Sequence, residues 1–190
     1  MTRLIETLIS GLSLGSIYAL MALGYTMVYG IAKMLNFAHG DIIMVGAYAV
    51  VTSVLTLGMP PLVAILISIA VCALLGITVE FLAYRPLRQA PPLAVLITAI
   101  GVSYLLQNLV CYVTGGLAKQ FPDIPLISQS VRVFGVKDKL AVFISPLVAV
   151  VLIVILVLII NHTKFGMSMR AVSKDFETAQ LMGVKINRVL

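Results

Sequence analysis

From Ile42 to Val79 the chain runs for 38 residues without a charged side chain. As one helix that run would extend roughly 57 Å, nearly twice the hydrocarbon thickness of a bilayer. It has to fold back, and Gly58-Met59-Pro60-Pro61 is where it can, because Pro-Pro cannot continue a helix. The halves, 16 and 18 residues long, read as two spans, and the first is short enough to cross with little tilt or to insert only in part. Three more runs join them: 26 uncharged residues between Glu6 and Lys33, the stretch Leu93 to Val113, and the uninterrupted 21 residues from Leu140 to Ile160. The 190 residues are 61% hydrophobic and 11% charged, where soluble domains carry about a quarter charged residues. A soluble globule is excluded. The expected fold is an all-α polytopic integral membrane protein with about five transmembrane helices plus a short cytoplasmic helix. Residues 1–190 read as a single transmembrane domain with spans near 7–32, 42–57, 62–79, 93–113 and 140–160, followed by a loop over 163–188.

In a membrane protein the net charge of +6 reports loop placement rather than a nucleic-acid partner. With the N-terminus outside and five spans, eight Lys and Arg fall in cytoplasmic segments and five outside. The tail after Ile160 is therefore expected in the cytoplasm. The N-terminal run is long, Glu6 spoils a basic leader, and no small-x-small cleavage site follows, so it reads as a retained span rather than a signal peptide. Within it Gly11, Gly15 and Ala19 recur every four residues, a small-residue stripe suited to close helix packing, which could also flank a pathway. Cys72 and Cys111 both lie in apolar runs and read as small buried hydrophobes, and no metal-binding spacing or cofactor motif is present. Glu80 to Pro92, with Arg85, Arg88 and three prolines, reads as a surface turn. The loop Thr114 to Lys139 carries Val131-Arg132-Val133-Phe134 and Gly135, the pattern of a small ordered flap.

Two stretches stand apart from this apolar background. The first is the polar island Lys33 to Asp41, where Asn36, His39 and Asp41 cluster with Phe37 and Gly40 between two hydrophobic runs. One reading is a loop at the membrane surface, with Asp41 as N-cap of a helix starting at Ile42. The other is an unwound segment beside a translocation path, where polar groups can meet a zwitterionic substrate. The second stretch is Thr163 to Arg188, rich in basic residues. Asp175 can cap a short helix there and Gly183 can end it. About two turns of helix do not persist alone in water, so it must be docked. Phe176, Ala179 and Met182 would share one face and supply the docking surface. In the stretch Leu93 to Val113, Gly101 and Ser103 read as positions that allow close packing, and Gln107 and Asn108 as groups that bond neighbouring helices, reach the interface or contact cargo.

Glu177-Thr178-Ala179, three residues and then Gly183 is similar to the EAAxxxG loop of ABC importer permeases, with Thr178 in place of the usual Ala. Thr163, Gly166, Met169-Arg170-Ala171 and Gln180-Leu181-Met182-Gly183 look like the version in branched-chain amino acid permeases. Gly15-Ser16-Ile17-Tyr18-Ala19-Leu20, Gly24-Tyr25-Thr26, Asn36-Phe37-Ala38-His39-Gly40-Asp41 and Tyr84-Arg85-Pro86-Leu87-Arg88 resemble the same family in the same order. The resemblance implies a non-enzymatic permease subunit in the cytoplasmic (inner) membrane. Its partners would be a second permease subunit, two cytoplasmic ATPase subunits and an extracytoplasmic solute-binding protein. It implies an ATPase-coupling set of Gly166, Arg170, Ala171, Phe176, Glu177, Ala179 and Gly183. A translocation-path set of Asn36, Phe37, His39, Gly40 and Asp41 is the accompanying expectation. Family members continue through further spans after this loop, so a truncated chain is expected. The competing class is an ion-gradient-driven transporter or channel, which usually places ionisable groups inside its spans; here His39 and Asp41 are the candidate pair. An intramembrane enzyme lacks any nucleophile-activating spacing. Leucine, isoleucine and valine are the implied substrates, with urea and short amides as the family's other option.

Overall fold

The computed structural model describes residues 2–88, 90–117, 119–122, 128–133 and 136–184. The chain divides into two compact units, one formed by Met1–Lys33 with Pro125–Leu190 and the other by Met34–Ile124. Among the described residues, four helices are long and apolar enough to cross a membrane and a fifth, of 17 residues, is shorter. The chain is an all-α polytopic membrane protein, with one small β-hairpin among the described residues.

The first unit is built on α1 (Thr2–Ala32) and α5 (Leu140–His162). Their contact is polar at its centre. Ser13 is buried and its hydroxyl lies 2.7 Å from that of Ser145, while Ser16 donates to the Ser13 carbonyl at 2.6 Å. In lipid such a hydroxyl pair ties helices that share no hydrophobic driving force. The stripe Gly11, Gly15 and Ala19 is exposed, and a Cβ added at Gly11 or Gly15 would meet nothing within 4 Å. Ser13 lies two residues, about 200°, from each glycine, so α5 packs on the face of α1 opposite the stripe. Before α5, β1 (Ser130–Val133) pairs antiparallel with β2 (Val136–Lys139), with Val131 opposite Asp138. The expected flap exists; Phe134 and Gly135 lie outside the described residues. Strand β2 runs straight into α5, and Leu140 still donates to the Gln129 carbonyl at 2.9 Å. After α5 come α6 (Lys164–Lys174) and α7 (Phe176–Leu181).

The second unit holds α2 (His39–Leu55), α3 (Pro61–Val79) and α4 (Pro92–Thr114). The break between α2 and α3 falls at the anticipated place, with Gly58 at φ 61 and Pro61 opening α3. The two helices approach closely at Gly46, whose carbonyl accepts from the Ser68 hydroxyl at 2.8 Å. Beyond Val79 the expected surface turn is instead more helix. Glu80–Tyr84 forms a widened π turn and Arg85–Leu87 a tight 3₁₀ turn. Pro86 has no N–H for the helical bond to residue 82, so the register shifts just before it, with Arg85 N–H bonding the Glu80 carbonyl. The shift delivers Tyr84 into the core with Val79, Val95 and Ala99, and Arg88 reaches back to form an ion pair with Glu80.

Candidate functional site

The carboxy-terminal segment is assembled around an elbow. Thr163 has extended backbone between α5 and α6, and its hydroxyl oxygen both donates to the Ile159 carbonyl at 2.5 Å and accepts from the Gly166 amide at 3.0 Å. The N-terminus of α6 is thereby capped by a residue that also closes the end of α5. Gly166 is buried against α5 so closely that a Cβ would stand 2.5 Å from the Ile159 carbonyl oxygen and the Ile160 Cα. Arg170, otherwise exposed, donates to Asn161 through Nη1 to Oδ1 at 3.3 Å and Nη2 to the carbonyl at 3.4 Å, placing a cation at the C-terminal end of α5. Three contacts thus fix the angle between a membrane-length helix and an amphipathic one.

Helix α6 presses Val172, fully buried, against Ile31 of α1 and Ala179 of α7, with half-buried Met169 and Ala171 beside them. Asp175 caps α7: its Oδ1 accepts from the amides of Glu177 at 3.0 Å and Thr178 at 3.4 Å, and its Oδ2 from the Thr178 hydroxyl at 2.5 Å. Gly183 ends the segment at φ 84. The expected docking face divides. Ala179 is 4% exposed and faces its own chain, whereas Met182 and its neighbour Leu181 are 81% and 88% exposed. Ala179 is taken up by the packing of α7 on α6, beside Val172. The side chain of Phe176, and all of Lys185 and Arg188, lie outside the described residues. Glu177 is exposed.

The Thr178 hydroxyl, followed by the Thr178 and Glu177 amides, holds the exposed Asp175 carboxyl below the ordinary carboxylate range. A depressed folded pKa gives stability that is present above the unfolded value and lost as pH falls through the folded one. Amide protection of Glu177 and Thr178, measured by hydrogen exchange, is therefore expected to persist at neutral pH and to fall below about pH 4. Asp175→Asn should remove that pH dependence while leaving an acceptor at the cap.

From Asn36 to Asp41 the polar island forms a second cluster, within the other unit. Helix α2 begins at His39, with Ala38 at the N-cap making no side-chain bond, so Asp41 is not the cap but a first-turn residue. The residue is 8% exposed and its carboxylate is engaged elsewhere: Ser103 donates to Oδ2 at 2.5 Å and Gln107 to Oδ1 at 3.0 Å. The same Gln107 amide lies 3.1 Å from the Ser103 hydroxyl. One turn earlier, Asn36 Oδ1 accepts from the Tyr84 hydroxyl at 3.0 Å. His39 is half-buried at the start of α2, while Phe37 and Gly40 are exposed. Asp41 stands just before the apolar run 42–57, in the first turn of α2. The signal that could have exposed its partners was the Ser103–Gln107 pair, spaced i, i+4 on one face of an apolar helix. Asn108 bonds only within α4, to the Tyr104 carbonyl at 2.7 Å.

Comparison with known proteins agrees with this architecture. Residues 7–190 match the family described as branched-chain amino acid transport system / permease component. The high-affinity branched-chain amino acid transport system permease protein BraD of Pseudomonas aeruginosa is 36% identical, over 98% of this chain and 64% of its own length. LivH of Escherichia coli K12, a permease of the same description, is 34% identical over the same shares. A probable branched-chain amino acid transport permease LivH of Methanocaldococcus jannaschii is 28% identical over 91% of this chain and 56% of its own. This chain spans less than two-thirds of the length of these relatives. No solved structure matches. Four membrane-length apolar helices make it a multi-pass protein of the cytoplasmic membrane, and the chain belongs to the permease-component family of branched-chain amino acid transport systems.

Proposed function

We propose that this chain is a membrane-spanning subunit of an ATP-driven importer of leucine, isoleucine and valine. It would work beside a second permease subunit, two cytoplasmic ATPase subunits that hydrolyse ATP, and an extracytoplasmic solute-binding protein. The observation that carries the reading is the elbow: α6 is locked to the end of α5 at Thr163, Gly166 and Arg170, and the capped helix α7 is packed on α6. A lever transmits displacement only if it is stiff and attached to what must move. Closure of the ATPases would push on α7, and the elbow would hand that displacement to α5 and the spans. Ala171 and Ala179 seat the lever on its own chain, while Glu177, Leu181 and Met182 face outward to the ATPase groove, and Gly183 permits the turn that ends it. Asn36, Phe37, His39, Gly40 and Asp41 lie on the translocation path in this account.

The buried Asp41 favours one competing reading, transport driven by an ion gradient, since such carriers place ionisable groups inside their spans. The two readings part at the lever. In the complete complex with native cysteines replaced, Leu181→Cys and Met182→Cys carrying a thiol-reactive photocrosslinker are expected to capture the ATPase subunit. The buried position, as Ala179→Cys, should not. Failure of both exposed positions to reach the ATPase would remove the lever from the account.

A further inference from the structure

We propose that Asp41, held by Ser103 and Gln107, receives the ammonium group of the transported amino acid; this rests on the importer reading and names the chemistry of its substrate site. A carboxylate buried in a membrane helix is expensive unless something answers its charge. Here the groups that meet it are neutral, one hydroxyl and one carboxamide. Among the described residues the one ion pair is Arg88 with Glu80, and no cation stands within ion-pair distance of Asp41. The amide dipoles of the first turn of α2 favour the negative charge but do not neutralise it.

An ionised carboxylate offers about four acceptor positions, and two are occupied. A tie between α2 and α4 needs only hydrogen bonds; an asparagine would serve with less desolvation. What the charge adds is affinity for a cation. A primary ammonium brings three donors and the missing positive charge. Gln107 is exposed and Ser103 half-buried, so the carboxylate is approached along α4, past the Gln107 side chain. The same chemistry chooses among the family's substrates: an amino acid carries the ammonium, whereas urea and simple amides are neutral and gain nothing from Asp41. Ser103 and Gln107 act as positioning residues, each fixing one carboxylate oxygen.

The test uses the complete permease with its partner subunits in proteoliposomes, with Cys72 replaced by alanine and the native Cys111, an exposed thiol one turn beyond Gln107 on α4, kept as the reporter. Labelling of that thiol by a small methanethiosulfonate reagent is timed with leucine, with 4-methylpentanoate (the same skeleton without its ammonium) and with urea. Leucine at about ten times its dissociation constant is expected to slow labelling about tenfold. The other two should leave the rate unchanged, and Asp41→Asn should abolish the leucine effect while Asp41→Glu keeps part of it. Equal protection by 4-methylpentanoate, protection that survives Asp41→Asn, or no protection by leucine would each overturn the proposal and leave the cluster an interhelical tie. Should Cys111 prove unreactive, Ile100→Cys, one turn before Ser103 on α4, carries the same readout. ATP-dependent leucine uptake by the parent complex is scored separately; its absence sinks the importer reading, whereas loss of thiol protection alone sinks only the role of Asp41.

Discussion

Gly166→Ala is expected to abolish ATP-coupled leucine uptake in the complete complex while α1 and α5 still insert. The new Cβ would stand 2.5 Å from the Ile159 carbonyl oxygen and the Ile160 Cα, and it would overlap the Ile160 carbonyl oxygen. All three obstacles are backbone, in the last turn of a membrane helix, so none can swing aside as a side-chain tip would. Overpacking of this kind typically costs about 1–3 kcal/mol, and here relief comes only by opening the elbow. Opening it would break the bond from the Gly166 amide to Thr163 and pull Arg170 from Asn161. Scanning calorimetry or thermal aggregation of the purified complex should show the loss, together with uptake near background. Ser168→Ala, which removes only a local bond to the Lys164 carbonyl, is the control and should transport normally. Wild-type uptake by Gly166→Ala would mean that the elbow is not part of the coupling route.

The second large effect is expected at Gly46, for a related reason with a different remedy. A Cβ there would lie 2.5 Å from the Cys72 sulfur and 3.1 Å from the Ser68 hydroxyl, at the closest approach of α2 and α3. Gly46→Val should therefore push the helices apart, breaking the Ser68 bond to the Gly46 carbonyl and the Cys72 contact with the Ile42 carbonyl. The loss, roughly 1–3 kcal/mol or more, is large against the whole stability of a domain. The obstacles at this site are side-chain atoms, so a second substitution can remove one. Gly46→Ala is expected to lower thermal stability, and Cys72→Ala in the same chain to recover most of it. A double-mutant cycle showing simple additivity would contradict the close contact.

These two glycines mark what the sequence could and could not disclose. Local backbone chemistry was legible: Gly58 to Pro61 does break the long apolar run, Asp175 does cap a helix, and Gly183 does take the left-handed turn. Each depends on residues only a few positions apart. Choice of helix face was not legible. Helices this apolar show no preferred side, so nothing in α1 disclosed that Ser13 meets α5 while the small-residue stripe faces away from it. Gly166 was expected to serve the ATPase, whereas its immediate need is room for the end of α5. The continuation of α3 to Leu87 was hidden because Arg85, Pro86 and Arg88 read locally as a turn, and only burial of Tyr84 and the Glu80 pair explain it. Of the two readings open for Asp41, the helix cap does not hold, because its carboxylate is taken by partners 62 and 66 residues away.

The account stands or falls on how the spans are driven. The deciding measurement is radiolabelled leucine uptake into vesicles holding the complete permease with its partner permease, ATPase and binding-protein subunits. Uptake is recorded with ATP, then with only a proton or sodium gradient, and both are repeated with Gly183→Val, which cannot hold φ 84 without strain. The expected result is uptake that requires ATP and the binding protein and collapses in Gly183→Val although every subunit still inserts. Uptake that follows the ion gradient and ignores both ATP and Gly183→Val would contradict the lever and move His39 and Asp41 to the centre of an ion-driven mechanism.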